Sequence, residues 1–232
     1  MAMVYTVKME VYWGIFDKDL SLNMGLESLL KDISFSQNKY TENNYLSCPA
    51  IREKHKNTFF TRIPCDIDFF YKDNEYHTNI PERIALRQGL YENSHSFDLF
   101  FNRIFYSEVP QIMEVSPAFL HNTTYSKYGH APSGSFDIGQ WFRPSIPNFQ
   151  LWSNENSFYA KQNEPHMYFN FPNSNKIVLR QFYVTDKLFE IAQENVMYKH
   201  IKPKQNLNSL YKIFNKSLNK KTIAKEIKNN LI

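Results

Sequence analysis

Cysteine and glycine are scarce in this 232-residue chain, with two of the first (Cys48 and Cys65) and six of the second. Two cysteines cannot build a disulfide framework or a zinc site of their own, so they read as two buried thiols in a reducing compartment. Six glycines leave little for a phosphate-cradling loop, and neither a Walker A loop nor a Gly-x-Gly-x-x-Gly run occurs. The common nucleotide enzymes are thereby disfavoured. A nucleophile elbow is missing too, because Pro132-Ser133-Gly134-Ser135-Phe136 lacks the second glycine. No window approaches ~18 apolar residues, and Met1-Ala2-Met3-Val4-Tyr5 is not a basic segment leading into an apolar one. Neither a membrane span nor a signal peptide is expected, and the chain reads as intracellular.

Aromatic rings are abundant: 20 Phe, 15 Tyr and 3 Trp make up 16% of the residues. Such side chains bury large areas and suit a pleated surface, which favours strands. With so little glycine, the turns must rest on the 11 prolines and on Asn, Asp and Ser.

Periodicity then divides the chain in two. Tyr5, Val7, Met9, Val11 and Trp13 alternate with Thr6, Lys8 and Glu10, which predicts a half-buried strand ending at Gly14. A short helix is expected over about 25–33 and a polar loop over 35–47. Strand-like runs follow at 57–63, 67–71 and 76–80, with turn chemistry at Lys72-Asp73-Asn74-Glu75. Residues 97–119 suit buried strands around Pro110, with a helix over 97–105 as the alternative. A long polar connection spans 120–137, and short strands recur from 138 to 184. After Thr185 the spacing becomes helical over about 187–198, with Asp186 as the expected cap. Leu207, Leu210, Tyr211, Phe214 and Leu218 form a further helical stripe, and Ile223, Ile227 and Leu231 a last one. The fold class expected is mainly β (α+β by count): a β-sandwich or jelly-roll-like body over 1–185, then a helical C-terminal extension with a basic tail over 186–232.

The net charge of +4 is unevenly spread. From Lys199 onward nine lysines face one acid, Glu226, whereas residues 1–198 hold 18 bases and 22 acids. The tail is therefore basic and the body mildly acidic. Lys212, Lys216, Lys220, Lys221 and Lys225 are the candidate partner-binding residues. The partner would be a protein or a second copy, or nucleic acid reached through phosphate contacts. Docking of the tail on the body is the favoured alternative, and Arg, the residue suited to bidentate phosphate contacts, is absent from the tail.

Several segments in order carry a family likeness: Cys48-Pro49-Ala50, Asn57-Thr58-Phe59 with Pro64 and Asp66, Ser116-Pro117, Trp141-Phe142-Arg143-Pro144, Phe149-Gln150-Leu151-Trp152, Glu164-Pro165, Ile177-Val178-Leu179 and the closing Ala224-Lys225-Glu226-Ile227-Lys228-Asn229-Asn230-Leu231. Together they resemble a family of uncharacterised proteins encoded by large tailed phages of marine bacteria. The resemblance implies a phage origin, a compact β-rich body, and a place in the cytoplasm of the infected host cell or in the virion. It brings no activity and no functional residues.

Three constellations could carry chemistry. His121, His130 and Asp137, joined by His166, would suit non-haem iron on a β-barrel, the basis of an oxygenase-type alternative; yet no His-x-Asp/Glu or His-x-His pair accompanies them. Asp66 and Asp68, near Asp73 and Glu75, could hold a cation or do acid–base work, but turn acids are ordinary. Trp141, Phe142, Trp152, Phe158 and Tyr159 could form a stacking platform for sugars or bases, or simply fill a core. The leading expectation is a non-enzymatic binding or assembly protein with no cofactor and no membrane partner.

Overall fold

The structure is a computed structural model describing residues 8–17, 25–36, 48–73, 75–89, 94–201, 204–217 and 219–232. The expected residues 5–7 of the first strand, most of the 35–47 loop, Asn74, Pro203 and Leu218 lie outside the described residues. The chain is mostly β, with sixteen strands and five α-helices among those residues. The strands are β1 (Lys8–Ile15), β2 (Glu27–Ser28), β3 (Thr58–Arg62), β4 (Ile67–Lys72), β5 (Glu75–Thr78), β6 (Ile84–Gln88), β7 (His95–Leu99) and β8 (Arg103–Tyr106). They continue as β9 (Ile112–Pro117), β10 (Gly129–His130), β11 (Gly134–Asp137), β12 (Pro144–Ser145), β13 (Asn148–Leu151), β14 (Ser157–Ala160), β15 (Pro165–Asn170) and β16 (Lys176–Gln181). The helices are α1 (Leu29–Ser36), α2 (Pro49–His55), α3 (Asp186–Ile201), α4 (Leu207–Lys216) and α5 (Asn219–Asn229).

Four sheets enclose one core, in the orders β12-β8-β1-β16, β10-β13-β7-β6, β11-β9-β15-β3-β2 and β14-β4-β5. Side chains from all four meet there: Trp13, Phe105, Phe97, Phe149, Phe69, Phe158, Met113 and Phe169 belong to one buried cluster. Opposite ends of the body close on each other, since β1 pairs in parallel with β16 and antiparallel with β8. The segment over 97–105 is two strands rather than a helix, and the 120–137 connection contains β10 and β11. No helical spacing in the sequence marks α2. It is seven residues long and largely polar, so it has no apolar stripe; its one local mark is Pro49 at its start.

The first sheet is buried on both faces. In β1, Val11, Trp13 and Ile15 enter the main core, while Tyr12 and the following Phe16 join a second apolar cluster on the other side. That second cluster contains Ile104, Tyr106, Phe142 and Phe182 from the body, and Leu188, Ile191, Ala192, Phe214, Ile223 and Ile227 from α3, α4 and α5. The expected alternation therefore gives way to continuous burial from Val11 onward. Gly14 does not end the strand. It pairs with Ile104, and a Cβ there would lie 2.7 Å from Val184 Cγ2 and 3.0 Å from the Phe182 carbonyl, so the position is one of close approach.

The C-terminal helices are thus a layer of the fold. Thr185, not Asp186, caps α3: its carbonyl accepts from Phe189 N at 2.9 Å and its hydroxyl accepts from Leu188 N at 3.3 Å. Asn206 caps α4 by accepting from Ser209 N. The chain end then returns to the edge of β16, where Leu231 bridges Phe182, Tyr183 N donates to Asn230 O at 2.9 Å and Ile232 N donates to Gln181 O at 3.0 Å. An otherwise open sheet edge is partly covered in this way. Ile223 and Ile227 are fully buried. Replacing a buried Ile by Ala removes its transfer energy and leaves a cavity, so Ile227→Ala should lower unfolding stability by about 3 kcal/mol. Urea denaturation checks this; a loss below about 1 kcal/mol would mean that α5 is not part of the cooperative unit.

Candidate functional site: a polar pocket and a basic helical face

The residues singled out from the sequence are dispersed. His130 stacks on Trp152 with ring centroids 4.8 Å apart. Asp137 is buried and structural: one oxygen accepts from Gln111 N and Gly139 N, both at 2.9 Å, and the other from Gln140 Nε2 at 2.6 Å. His121 is engaged elsewhere, as described below. His166 is buried, and burial together with the charge of Arg103 lowers its pKa to about 4. Among the described residues, no group of three or more His, Cys, Asp or Glu comes together as a metal site. The structure does not bring the candidate trio His121, His130 and Asp137 together: Asp137 is tied up by Gln111, Gly139 and Gln140, His130 stacks on Trp152 and His121 bonds Tyr168 and Asp32.

Asp66 and Asp68 are exposed on the β4 side of a turn. Asp66 accepts from Gln162 N at 2.7 Å, and Asn79 ties the segment by accepting from Asp68 N and donating to Asp66 O. Asp73 takes a positive φ of 52°, as an Asp in a tight turn can. Of the aromatic platform, Trp141, Phe142 and Phe158 are core residues, and only Trp152 is well exposed. Both cysteines are free thiols and neither is fully buried: Cys48, whose carbonyl opens α2, is exposed, and Cys65 is half-buried.

Two hydrogen-bonded networks, neither visible in the sequence, meet around one pocket of about 390 Å³ on the β3–β15–β9 sheet. In the first, the Tyr168 hydroxyl accepts from Leu120 N at 3.2 Å, so its own proton goes to His121 Nδ1 at 2.5 Å. His121 Nε2 is then the protonated nitrogen and donates to Asp32 Oδ2 at 3.0 Å. The other oxygen of Asp32 accepts from Arg62 Nη2 at 2.7 Å, and Arg62 Nε binds Glu27 at 2.7 Å. Burial raises the pKa of Tyr168, and every polar atom of this chain of contacts has a partner. The network braces α1 and β2 against β3 and β15.

The second network lines the pocket directly. Thr58 Oγ1 donates to Asn170 Oδ1 at 3.0 Å, and Asn170 Nδ2 donates to Glu114 Oε2 at 2.7 Å. With the Thr58 proton so placed, His55 Nδ1 must donate to Thr58 Oγ1 across 3.2 Å. Burial, and then the neighbouring Lys54 charge, lower the His55 pKa and favour its neutral form. Ser133 and Ser135 also face this pocket, yet neither is hydrogen-bonded to a base among the described residues. The arrangement can hold a small polar molecule. Among the described residues it contains no assembled nucleophile–base pair.

The other feature is the outward side of α4 and α5. Lys212, Lys216, Lys221 and Lys225 are exposed and Lys220 is half-buried. None of the five has an ion pair or side-chain hydrogen bond among the described residues. Among the described lysines of α4 and α5, Lys228 alone forms an ion pair with the body, at 2.8 Å from Glu108.

The chain matches no family model, no curated protein and no solved structure.

Two predictions test these assignments. Tyr168→Phe strands the Leu120 N–H and His121 Nδ1, so it should cost about 1–3 kcal/mol in chemical denaturation; no loss would show that the hydroxyl is dispensable. For His166 the folded pKa lies below its unfolded value, so the unfolded state binds the proton first. The resulting stability is whole above about pH 6.5 and falls as the pH drops towards 4, by on the order of 3 kcal/mol. His55 acts in the same direction. His166→Gln should flatten the stability curve between about pH 6.5 and 4.5, and an unchanged slope would remove His166 as its cause.

Proposed function

We propose that this is a non-enzymatic binding or assembly protein, phage-encoded and acting in the infected cell or the virion, whose basic helical face meets an acidic partner. The observation that carries the reading is the division of labour on α4 and α5. Their apolar stripes are buried against the body through Leu210, Phe214, Ile223 and Ile227, while the five lysines have no partner among the described residues. A cationic surface fixed on a rigid layer loses less side-chain and backbone freedom on binding than a loose tail would. The body is mildly acidic, so a second copy offers complementary charge, as does an acidic protein; nucleic acid is the other polyanion that fits. The pocket beside His55 supports ligand holding more than covalent chemistry, and the dispersal of His121, His130 and Asp137 leaves the oxygenase alternative without a supporting constellation.

Truncation is the wrong test, since it would bare Tyr12, Tyr106 and Phe142. The informative variant is the full chain with Lys212, Lys216, Lys221 and Lys225 changed to Glu. Heparin retention and duplex DNA binding should fall by about tenfold or more at low salt, with a shallower salt dependence. Sedimentation of the same variant reads self-association. If retention, DNA binding and association state all match the parent, the basic face is only a solvated surface.

A further inference from the structure

A second pocket, of about 420 Å³, lies where β11, β12 and β13 meet α3. Arg143, Arg87, Asp98 and Asn148 supply its charged and amide groups, and Phe136, Ile146 and Val196 are among its apolar ones. Arg87 and Asp98 neutralise each other, with Arg87 Nε 2.6 Å from Asp98 Oδ2, and Asn148 Nδ2 donates to Asp98 Oδ1 at 2.9 Å. Arg143 is different. Its guanidinium is flanked by Phe136 and Trp141, 5.1 and 5.9 Å from the ring centroids. Its Nε is buried without a hydrogen-bond partner, and it has no ion pair among the described residues.

We propose that this pocket binds a small molecule carrying one carboxylate and an apolar portion, with the Arg143 guanidinium as the group that receives the carboxylate. A largely buried cation costs free energy unless an anion and hydrogen-bond acceptors accompany it, and the two aromatic faces supply no acceptor lone pair in the plane of the fork. Burial lowers the Arg143 pKa, as expected for a cation lacking a counter-charge. A planar guanidinium matches a carboxylate through two parallel N–H···O bonds. Because Arg87 is already balanced by Asp98, the pocket offers one net positive charge, which suits a monoanion better than a phosphate dianion. The volume exceeds that of a bare ion and falls in the range of small-molecule sites. The apolar walls then require an apolar portion on the ligand. This inference is independent of the basic helical face, and neither fails with the other.

The test uses the full chain labelled with nitrogen-15, in which the arginine Nε–H signal of Arg143 is followed during titration with hexanoate, hexanol, acetate and inorganic phosphate at constant ionic strength. Hexanoate should shift that signal saturably, and hexanol or acetate should bind about tenfold or more weakly. Arg143→Gln should abolish hexanoate binding while keeping or raising the melting temperature, since it removes an unpaired charge; Arg143→Lys should restore it only in part. Equal responses to hexanoate and hexanol, or no saturable shift, would overturn the proposal. Tighter binding of inorganic phosphate than of hexanoate would overturn the carboxylate assignment.

Discussion

The C-terminal helical layer depends on one sheet being apolar on both of its faces. Strands β1 and β8 alternate inward and outward as strands must, yet Tyr12, Ile104 and Tyr106 on the outward side are as hydrophobic as Val11, Trp13 and Phe105 on the inward side. A sheet of this kind cannot face water without exposing several large side chains, and the solution in α/β architectures is a helical layer. Helices α3, α4 and α5 provide it. Gly14 shows how tightly β1 meets the chain that continues from β16, because even a methyl group at that position would collide with Val184.

Charge contributes little to this docking. The acidic body and basic C-terminal region invite an electrostatic account, but the magnitudes decide otherwise. An exposed pair such as Lys228–Glu108 is worth roughly 0–1 kcal/mol, and salt screens it. Each fully buried Leu, Ile or Phe contributes roughly 1.5–3 kcal/mol, and Leu188, Ile191, Phe214, Ile223 and Ile227 act together. Oriented polar contacts then set the register: Asn195 donates to the Phe142 carbonyl, Asp137 N donates to the Tyr211 hydroxyl and Asn215 donates to Gln140. Since charge is not needed to hold the helices down, the lysines are free to meet something else.

Elements with a strong local pattern were legible from the sequence. The aromatic and β-branched runs at β3, β4, β13, β15 and β16 and the stripes of α3, α4 and α5 all follow from spacing. What spacing cannot reveal is which distant segments meet. The parallel pairing of β1 with β16 joins residues nearly a whole body apart, and it is this pairing that gives Gly14 its close neighbour. The Tyr168–His121–Asp32 network has the same character, with partners 47 and 89 positions apart. His121 stands out in the sequence as a histidine in a polar connection, and its partners are Tyr168 and Asp32 rather than another histidine. Asp32 and Tyr168 carried no local mark at all, being one acid on a short helix and one ring in an aromatic strand. Arg143 did carry one: a charged residue set between Trp141-Phe142 and Pro144 in a run otherwise fit for a core.

Four other arginines of the body show why that mark matters. Arg62 sits between Glu27 and Asp32, Arg83 contacts Asp17, Arg87 contacts Asp98, and Arg180 contacts Glu10. A guanidinium drawn out of water demands an anion, and in each of these cases the fold supplies one. At Arg143 it supplies two aromatic faces, which favour a positive charge above the ring plane but leave the buried Nε–H unanswered. An Arg needed only for packing would be as well replaced by Met or Leu, which fill such a space without a charge to solvate. A local rule broken without an internal compensation is what a binding site looks like before its ligand arrives. The seat of that residue, between the sandwich and α3, means that a ligand held there would touch the body and the helical layer at once.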